Sequence, residues 1–315
     1  MVEKTFNNKL LSTKGFEDLY PFESNFLDIK GLNLHYIDKG KGRPVIMVHG
    51  NPTWSFYFRN LIQELSQECR AIALDHMGCG FSDKPDAKTY EYTLESRVKD
   101  LDTLIKHLNI NEKISFIVHD WGGMIGLAWA VDNIDRIDKI IITNTSGFFL
   151  PKEKEFPFLL RLVKYIRPLA VPAVLGFNAF AKTALWLCSK KGLSKKIKKG
   201  LIAPYNSWKN RIATLKFVQD IPIDKSDISF DLVNHVDQNL KKLDESDLMF
   251  LWGAKDFVFD LTFLNEFKRR FPGAKTRVFH DAGHYLFEDK KDETAQEIKT
   301  FLNICHGQSE LLEIP

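Results

Sequence analysis

A chain of 315 residues, 44% hydrophobic and 27% charged, has enough apolar material for a large core: one big α/β domain, or a core carrying an inserted subdomain. Its formal charge of +3 is too small to argue for a nucleic-acid partner, and its most apolar long stretch, 170–187, is broken by Pro172, Asn178 and Lys182, which argues against a membrane span. Cys69, Cys79, Cys188 and Cys305 have neither CxxC nor metal-like spacing, so they read as reduced thiols of a cytoplasmic protein with no metal; the polar start, 1–14, lacks the apolar region of a secretory signal.

Residues 26–38 alternate apolar and polar around Gly31, which predicts a hairpin of half-buried strands. Residues 44–48 form a short continuous apolar run, as in a strand buried on both faces, and lead into the loop His49-Gly50-Asn51-Pro52. Helical spacing over 56–65 precedes a second buried strand at 71–74, a glycine-rich loop at 75–85 and an amphipathic helix over 92–108. Ile114, Phe116, Ile117 and Val118 then run into Asp120, followed by Gly122, Gly126 and an apolar helical run over 124–131. That is a strand, a sharp turn and a helix, the plan of a nucleophile elbow, with glycines where helix and strand pack closely. Aspartate stands where serine is usual. A carboxylate is a weak nucleophile toward acyl groups, but it displaces a leaving group from saturated carbon and leaves an ester on the enzyme. The structural alternative is an Asp120 that merely caps the helix.

An apolar strand at 139–143 follows, and the pattern changes. Helical segments at 156–166, 177–187 and 208–218 predict a helical cap over 147–229, dividing a core made of 1–146 and 230–315. Alternation returns with a strand at 248–252, a helix at 263–271, a strand at 275–279 and a last helix at 294–302. Strands alternating with helices predict a mostly parallel central sheet covered on both faces, with its working loops at the carboxyl ends of the strands. Asp120, Asp256 and His284 all fall just after predicted strands, in the order nucleophile, acid, histidine. Each alone could be a turn or surface residue; three at strand ends in that order point to catalysis.

The segments His49-Gly50-Asn51-Pro52-Thr53-Trp54-Ser55, Gly78-Cys79-Gly80-Phe81-Ser82-Asp83-Lys84-Pro85, His119-Asp120-Trp121-Gly122-Gly123 and Asp281-Ala282-Gly283-His284 resemble the haloalkane dehalogenase branch of the α/β-hydrolases. The cap segments Phe177-Asn178-Ala179-Phe180, 203–212 and 217–222 are similar to the β-lactone decarboxylases of bacterial long-chain olefin biosynthesis. In the dehalogenase branch that the chain resembles, the acid follows either the strand before the cap or the later one; no carboxylate occurs in 144–149, so the resemblance implies Asp256 as the acid.

Asn51 and Trp121 each offer one side-chain and one backbone donor. The side-chain donors suit a departing anion, a halide or the carboxylate of an opened lactone; the backbone donors suit an oxyanion. In a dehalogenase His284, oriented by Asp256, would activate a water that hydrolyses the Asp120 ester. In a decarboxylase the resemblance implies loss of CO2 and a cis-alkene, with no net water. Neither reaction needs a metal or an organic cofactor. The implied substrate is a hydrophobic small molecule, and other olefin-pathway enzymes are the implied partners.

Two further readings differ in kind. An epoxide hydrolase would call on two cap tyrosines, for which Tyr165 and Tyr205 are the candidates; a non-enzymatic scaffold would have no use for an intact Asp, Asp and His set. The lysines at 190, 191, 195, 196, 198 and 199 read first as a solvated helix face, and alternatively as a contact with a membrane surface or a partner enzyme.

Overall fold

The computed structural model describes residues 12–304. Strands β1 (Asn25–Ile29) and β2 (Leu32–Lys39) form the expected antiparallel hairpin, although β2 is not half-buried as its alternation predicted: Leu34 to Ile37 are all buried, because β2 lies between β1 and β4. Its two turn residues, Lys30 and Gly31, have φ of 54° and 86°, the left-handed conformation that matches a two-residue loop to the strand twist. After β3 (Pro44–Val48) a 3-10 turn at Ser55–Phe58 comes first, so α1 spans Arg59–Leu65 and begins later than the spacing predicted. Next are β4 (Arg70–Leu74) and α2 (Leu94–His107), which starts where the Thr93 hydroxyl accepts the Ser96 N–H. Then come β5 (Ile114–Asp120), α3 (Trp121–Asp132) and β6 (Ile137–Thr145).

Between β6 and the next strand the chain leaves the sheet. It forms α4 (Phe158–Tyr165), α5 (Arg167–Val171), a π-helical turn at Pro172–Gly176, α6 (Ala179–Leu187), α7 (Lys195–Ile202), α8 (Ile212–Gln219) and α9 (Phe230–Asn239). The breaks have local causes. Pro168 sits in the first turn of α5, where a missing N–H goes unmissed, and Asn178 takes a left-handed φ of 55° just before α6. The chain then returns through β7 (Leu248–Gly253), α10 (Leu261–Arg270), β8 (Lys275–Phe279), α11 (Leu286–Asp289) and α12 (Lys291–Phe301). Helices α7 and α9 had no separate place in the sequence reading, because their apolar faces are short and set among lysines or among polar residues.

The eight strands lie in the order β1-β2-β4-β3-β5-β6-β7-β8, parallel from β4 onward. Strands β3, β5 and β7 are buried along their whole length, which is why they read as unbroken apolar runs. Alternate residues serve opposite faces. Ile46, Val48, Phe116 and Val118 pack with Leu101 and Leu104 of α2 and with Ile125 of α3; Val45, Met47, Ile117 and Leu251 pack with Leu61 of α1 and Ile298 of α12. Cys69, Cys79 and Cys188 are buried free thiols; Cys305 and the polar 1–11 lie outside the described residues. No described helix is long and apolar enough alone to cross a membrane.

The register aligns the strand ends that matter: Val48 pairs with Val118, Asp120 with Thr145, Thr143 with Leu251 and Gly253 with Phe279. The inserted helices are tied to the same edge, because the Trp54 indole donates to the Gly200 carbonyl (3.0 Å) and the Tyr205 hydroxyl to the Thr53 carbonyl (3.0 Å). A Cβ at Gly122 would collide with the Val48 carbonyl, so the first turn of α3 rests directly on β3. Gly122→Ala is therefore expected to lose about 1–3 kcal/mol through overpacking. Urea unfolding monitored by circular dichroism would show it, and an unchanged midpoint would contradict the close packing.

Candidate active site

Asp120 is the last residue of β5 and stands on the turn into α3 with φ 52° and ψ −128°, a conformation unfavourable for a non-glycine residue. The surroundings hold it there. The Thr145 hydroxyl donates to its carbonyl, and Gly50 leaves the room its side chain occupies, since a Cβ at residue 50 would overlap the carboxylate. The side chain makes no capping hydrogen bond to α3, so the helix-cap alternative does not account for it. Instead Oδ1 accepts the backbone N–H of Asn51 at 2.6 Å, and the Trp121 amide also favours the charged form.

His284, on the loop after β8, brings Nε2 to 3.7 Å from Asp120 Oδ2 and pairs Nδ1 with Asp256 Oδ2 at 2.7 Å. Asp256, on the loop after β7, has its other oxygen occupied by the Val258 N–H at 2.8 Å. All three side chains are buried. The His284 ring is fixed between His119 (centroids 4.6 Å apart) and Phe259, which stacks on it at 6.0 Å. The three residues singled out from the sequence thus meet in one line, Asp256 to His284 to Asp120.

Burial pushes the Asp120 carboxyl above the usual carboxylate range, while the nearby His284 and the Asn51 and Trp121 amides draw it partly back. For His284 burial works downward, but the Asp256 carboxylate, with Asp120 behind it, wins and raises the imidazole above its ordinary value. Asp256→Asn removes the larger upward influence, so the His284 pKa should fall below that of the parent protein. An NMR titration of the imidazole Cε1 proton checks this, and an unmoved pKa would mean that Asp256 does not act on the ring.

Asn51 and Trp121 both line the cavity beside Asp120. The expectation that the Asn51 amide is free for an anion needs adjustment, because Nδ2 already gives one hydrogen to the Thr214 carbonyl at 3.0 Å, leaving one N–H, and Oδ1 is buried without a partner. The Trp121 indole N–H has no hydrogen-bond partner among the described residues. Asn51 therefore also ties the β3 loop to α8.

Arg97 was not anticipated. Fully buried on α2, it lies 3.7 Å over the Phe217 ring and 5.9 Å from the Trp121 ring, placing a cation behind the wall that carries the indole. It donates to the Tyr92 carbonyl (2.9 Å) and faces Asp220 at 3.6 Å, whose carboxyl burial pushes up to about 6. The available signal was an arginine within the apolar stripe Leu94, Leu101, Leu104 of an amphipathic helix, where a charge is out of place.

The cavity above Asp120 holds about 550 Å3. Apart from the polar groups at its floor and from Ser146 and Thr183, it is lined by apolar side chains, among them Phe148, Phe149, Leu162, Val174, Phe180 and Val218. Neither candidate tyrosine is in its wall: Tyr205 is bound to Thr53, and the half-exposed Tyr165 donates to Asp224. Among the described residues no group of three His, Cys, Asp or Glu side chains could hold a metal ion.

Residues 43–291 match the sequence profile of the alpha/beta hydrolase fold. The chain belongs to that family. Within the alpha/beta hydrolases it is 45% identical to a cis-3-alkyl-4-alkyloxetan-2-one decarboxylase of Shewanella oneidensis, over 91% of this chain and 90% of that one. It is 40% identical to a protein of the same name from Xanthomonas campestris, covering 90% of this chain and 97% of the relative. In fold it resembles the crystal structure of haloalkane dehalogenase DbeA from Bradyrhizobium elkani, with a TM-score of 0.80, 20% identity, and coverage of 90% and 98%.

Proposed function

We propose that this alpha/beta hydrolase is a decarboxylase of cis-3-alkyl-4-alkyloxetan-2-ones, acting through Asp120 under a cap formed by 147–229. The observation that carries the reading is a carboxylate held at the floor of an apolar cavity; two relatives named for that reaction, 45% and 40% identical over nine-tenths of the chain, support the choice of substrate. The cavity suits alkyl arms, and a poorly solvated carboxylate is a strong nucleophile toward saturated carbon.

In this mechanism an Asp120 oxygen attacks the ring carbon bearing the lactone oxygen. That carbon–oxygen bond breaks, its electrons leaving on the oxygen as a carboxylate, and an alkyl ester forms on Asp120. The indole N–H of Trp121 and the remaining amide N–H of Asn51 receive the new carboxylate. The carbon–carbon bond to that carboxylate then cleaves to release CO2. Its electron pair forms the double bond and expels Asp120 as a free carboxylate, so no water is consumed. Attack with inversion followed by anti elimination converts a cis-lactone into a cis-alkene. Removing one desolvated donor from a developing charge costs roughly 3 kcal/mol, about a hundredfold in rate. Trp121→Phe should slow the single-turnover opening of the lactone by about that factor; an unaltered rate would place the leaving anion elsewhere.

Haloalkane hydrolysis is the runner-up, because the Asp256–His284 pair is positioned to activate a water. The epoxide reading lacks a tyrosine in the cavity wall. One experiment separates lactone from halide: a cis-β-lactone with long alkyl arms and a 1-bromoalkane are offered side by side to the parent protein and to His284→Phe, and products are identified by mass. The lactone should give cis-alkene and CO2 with both proteins, more slowly with the variant, and no oxygen-18 from labelled water should enter Asp120. A hydrolysis needs neutral His284, whose pKa is raised, so it would also fade as pH drops through that value. Rapid bromoalkane hydrolysis, a trapped ester in His284→Phe and no alkene would reverse the assignment.

A further inference from the structure

From residue 156 to residue 200 the chain carries ten lysines and arginines and no aspartate or glutamate, in a protein whose formal charge is only +3. Two of the ten are paired from outside the stretch, the buried Lys164 with Asp227 and Lys196 with Asp18, which leaves eight to face other charges. The same stretch holds an unusual set of exposed apolar side chains: Phe158 (70% exposed), Leu159 (60%), Leu169 (62%), Phe177 (74%) and Trp186 (72%). Phe158, Leu159 and Leu169 also line the cavity, together with the partly exposed Leu187, so the lip of the cavity is apolar and faces outward. Helices α5 and α6, with the π-helical turn between them, are jointly as apolar as a membrane span but bend by 73° at the break, a shape suited to lying along a surface.

Charge and apolar groups are interleaved where α6 packs against α7. Lys198 Nζ stands 3.4 Å from the centre of the Trp186 ring, an indole and an ammonium side by side, as residues arrange themselves where one end must be greasy and the other wet. Lys182 and Lys195 are exposed and have no salt bridge among the described residues.

We propose that the lip formed by α4, α5, α6 and the start of α7 docks on an anionic phospholipid bilayer. Phe158, Leu159, Leu169, Phe177 and Trp186 enter the headgroup boundary while the surrounding lysines and arginines meet lipid phosphates. An acidic protein partner would satisfy the charges but would stand across the mouth of the cavity. A bilayer satisfies the charges and continues the apolar path that a water-insoluble molecule needs between lipid and Asp120. The nature of that cargo rests on the lactone reading; the membrane contact does not.

The test is co-sedimentation of the full chain, without substrate, with phosphatidylcholine vesicles that do or do not contain phosphatidylglycerol. Binding is expected to the mixed vesicles, to weaken with salt, and to be slight with phosphatidylcholine alone. Each basic side chain near an anionic surface is worth roughly fivefold in partitioning, so Lys182→Glu with Lys195→Glu should lower vesicle binding by at least about tenfold. Phe177→Ser with Trp186→Ser should lower it too. None of these four residues lines the cavity, so turnover of a short-chain lactone in solution should be retained by both pairs of variants while turnover of a long-chain lactone carried in vesicles falls. No binding at low salt, equal binding to both vesicle types, or binding indifferent to both variant pairs would overturn the proposal. Vesicle binding by a protein inert toward lactones would overturn the reaction and leave the membrane surface standing.

Discussion

The hydrogen bond from the Asn51 amide to the Asp120 carboxylate, 2.6 Å long, joins the ends of two neighbouring parallel strands. It can form only because Gly50 and Gly122 allow the β3 loop and the α3 turn to come within backbone contact. Everything above the sheet is placed by that junction. Asp120 is held in a backbone conformation it would not choose, His284 reaches it from the loop after β8, and α8 is anchored to the same Asn51 through the Thr214 carbonyl.

Burial then sets the chemistry. A carboxylate deep under apolar side chains is poorly solvated, and the protein balances its charge with fixed groups: the Asn51 backbone N–H at one oxygen, the imidazole near the other, and the Trp121 amide close by. Behind the Trp121 wall the Arg97 cation adds a charge that does not move, itself faced by Asp220, whose carboxyl burial makes a weaker acid than usual. In the proposed reaction such fixed charges need no reorganisation as charge shifts from Asp120 to a leaving group.

The sheet was legible in the sequence because β3, β5 and β7 are buried on both faces and so leave unbroken apolar runs, while β1 and β2 alternate around Gly31. Asp120 and Asp256 were legible because each follows such a run, and His284 because it follows the strand pattern at 275–279. The inserted helices were less so. Helices α4, α6 and α8 fall in segments of helical spacing, but proline and a left-handed asparagine cut α5 and the π-helical turn into short pieces, and the brief apolar faces of α7 and α9 are set among lysines or polar residues. Arg97 showed in the sequence only as a charge within an apolar stripe; what it faces, like the Asn51–Thr214 bond, depends on contacts between distant segments, which spacing along the chain does not encode.

The Asp256–His284 pair, set 3.7 Å from the Asp120 carboxylate, has a consequence for product fidelity. In the proposed reaction the ester on Asp120 has two exits: it can lose CO2, or a water activated by His284 can cut it to a β-hydroxy acid. One intermediate thus stands at a kinetic branch, and the apolar walls choose between the exits by keeping solvent away. The proportion of hydroxy acid among the products becomes a gauge of dryness, reporting how often a water molecule enters the cavity during the lifetime of a single ester.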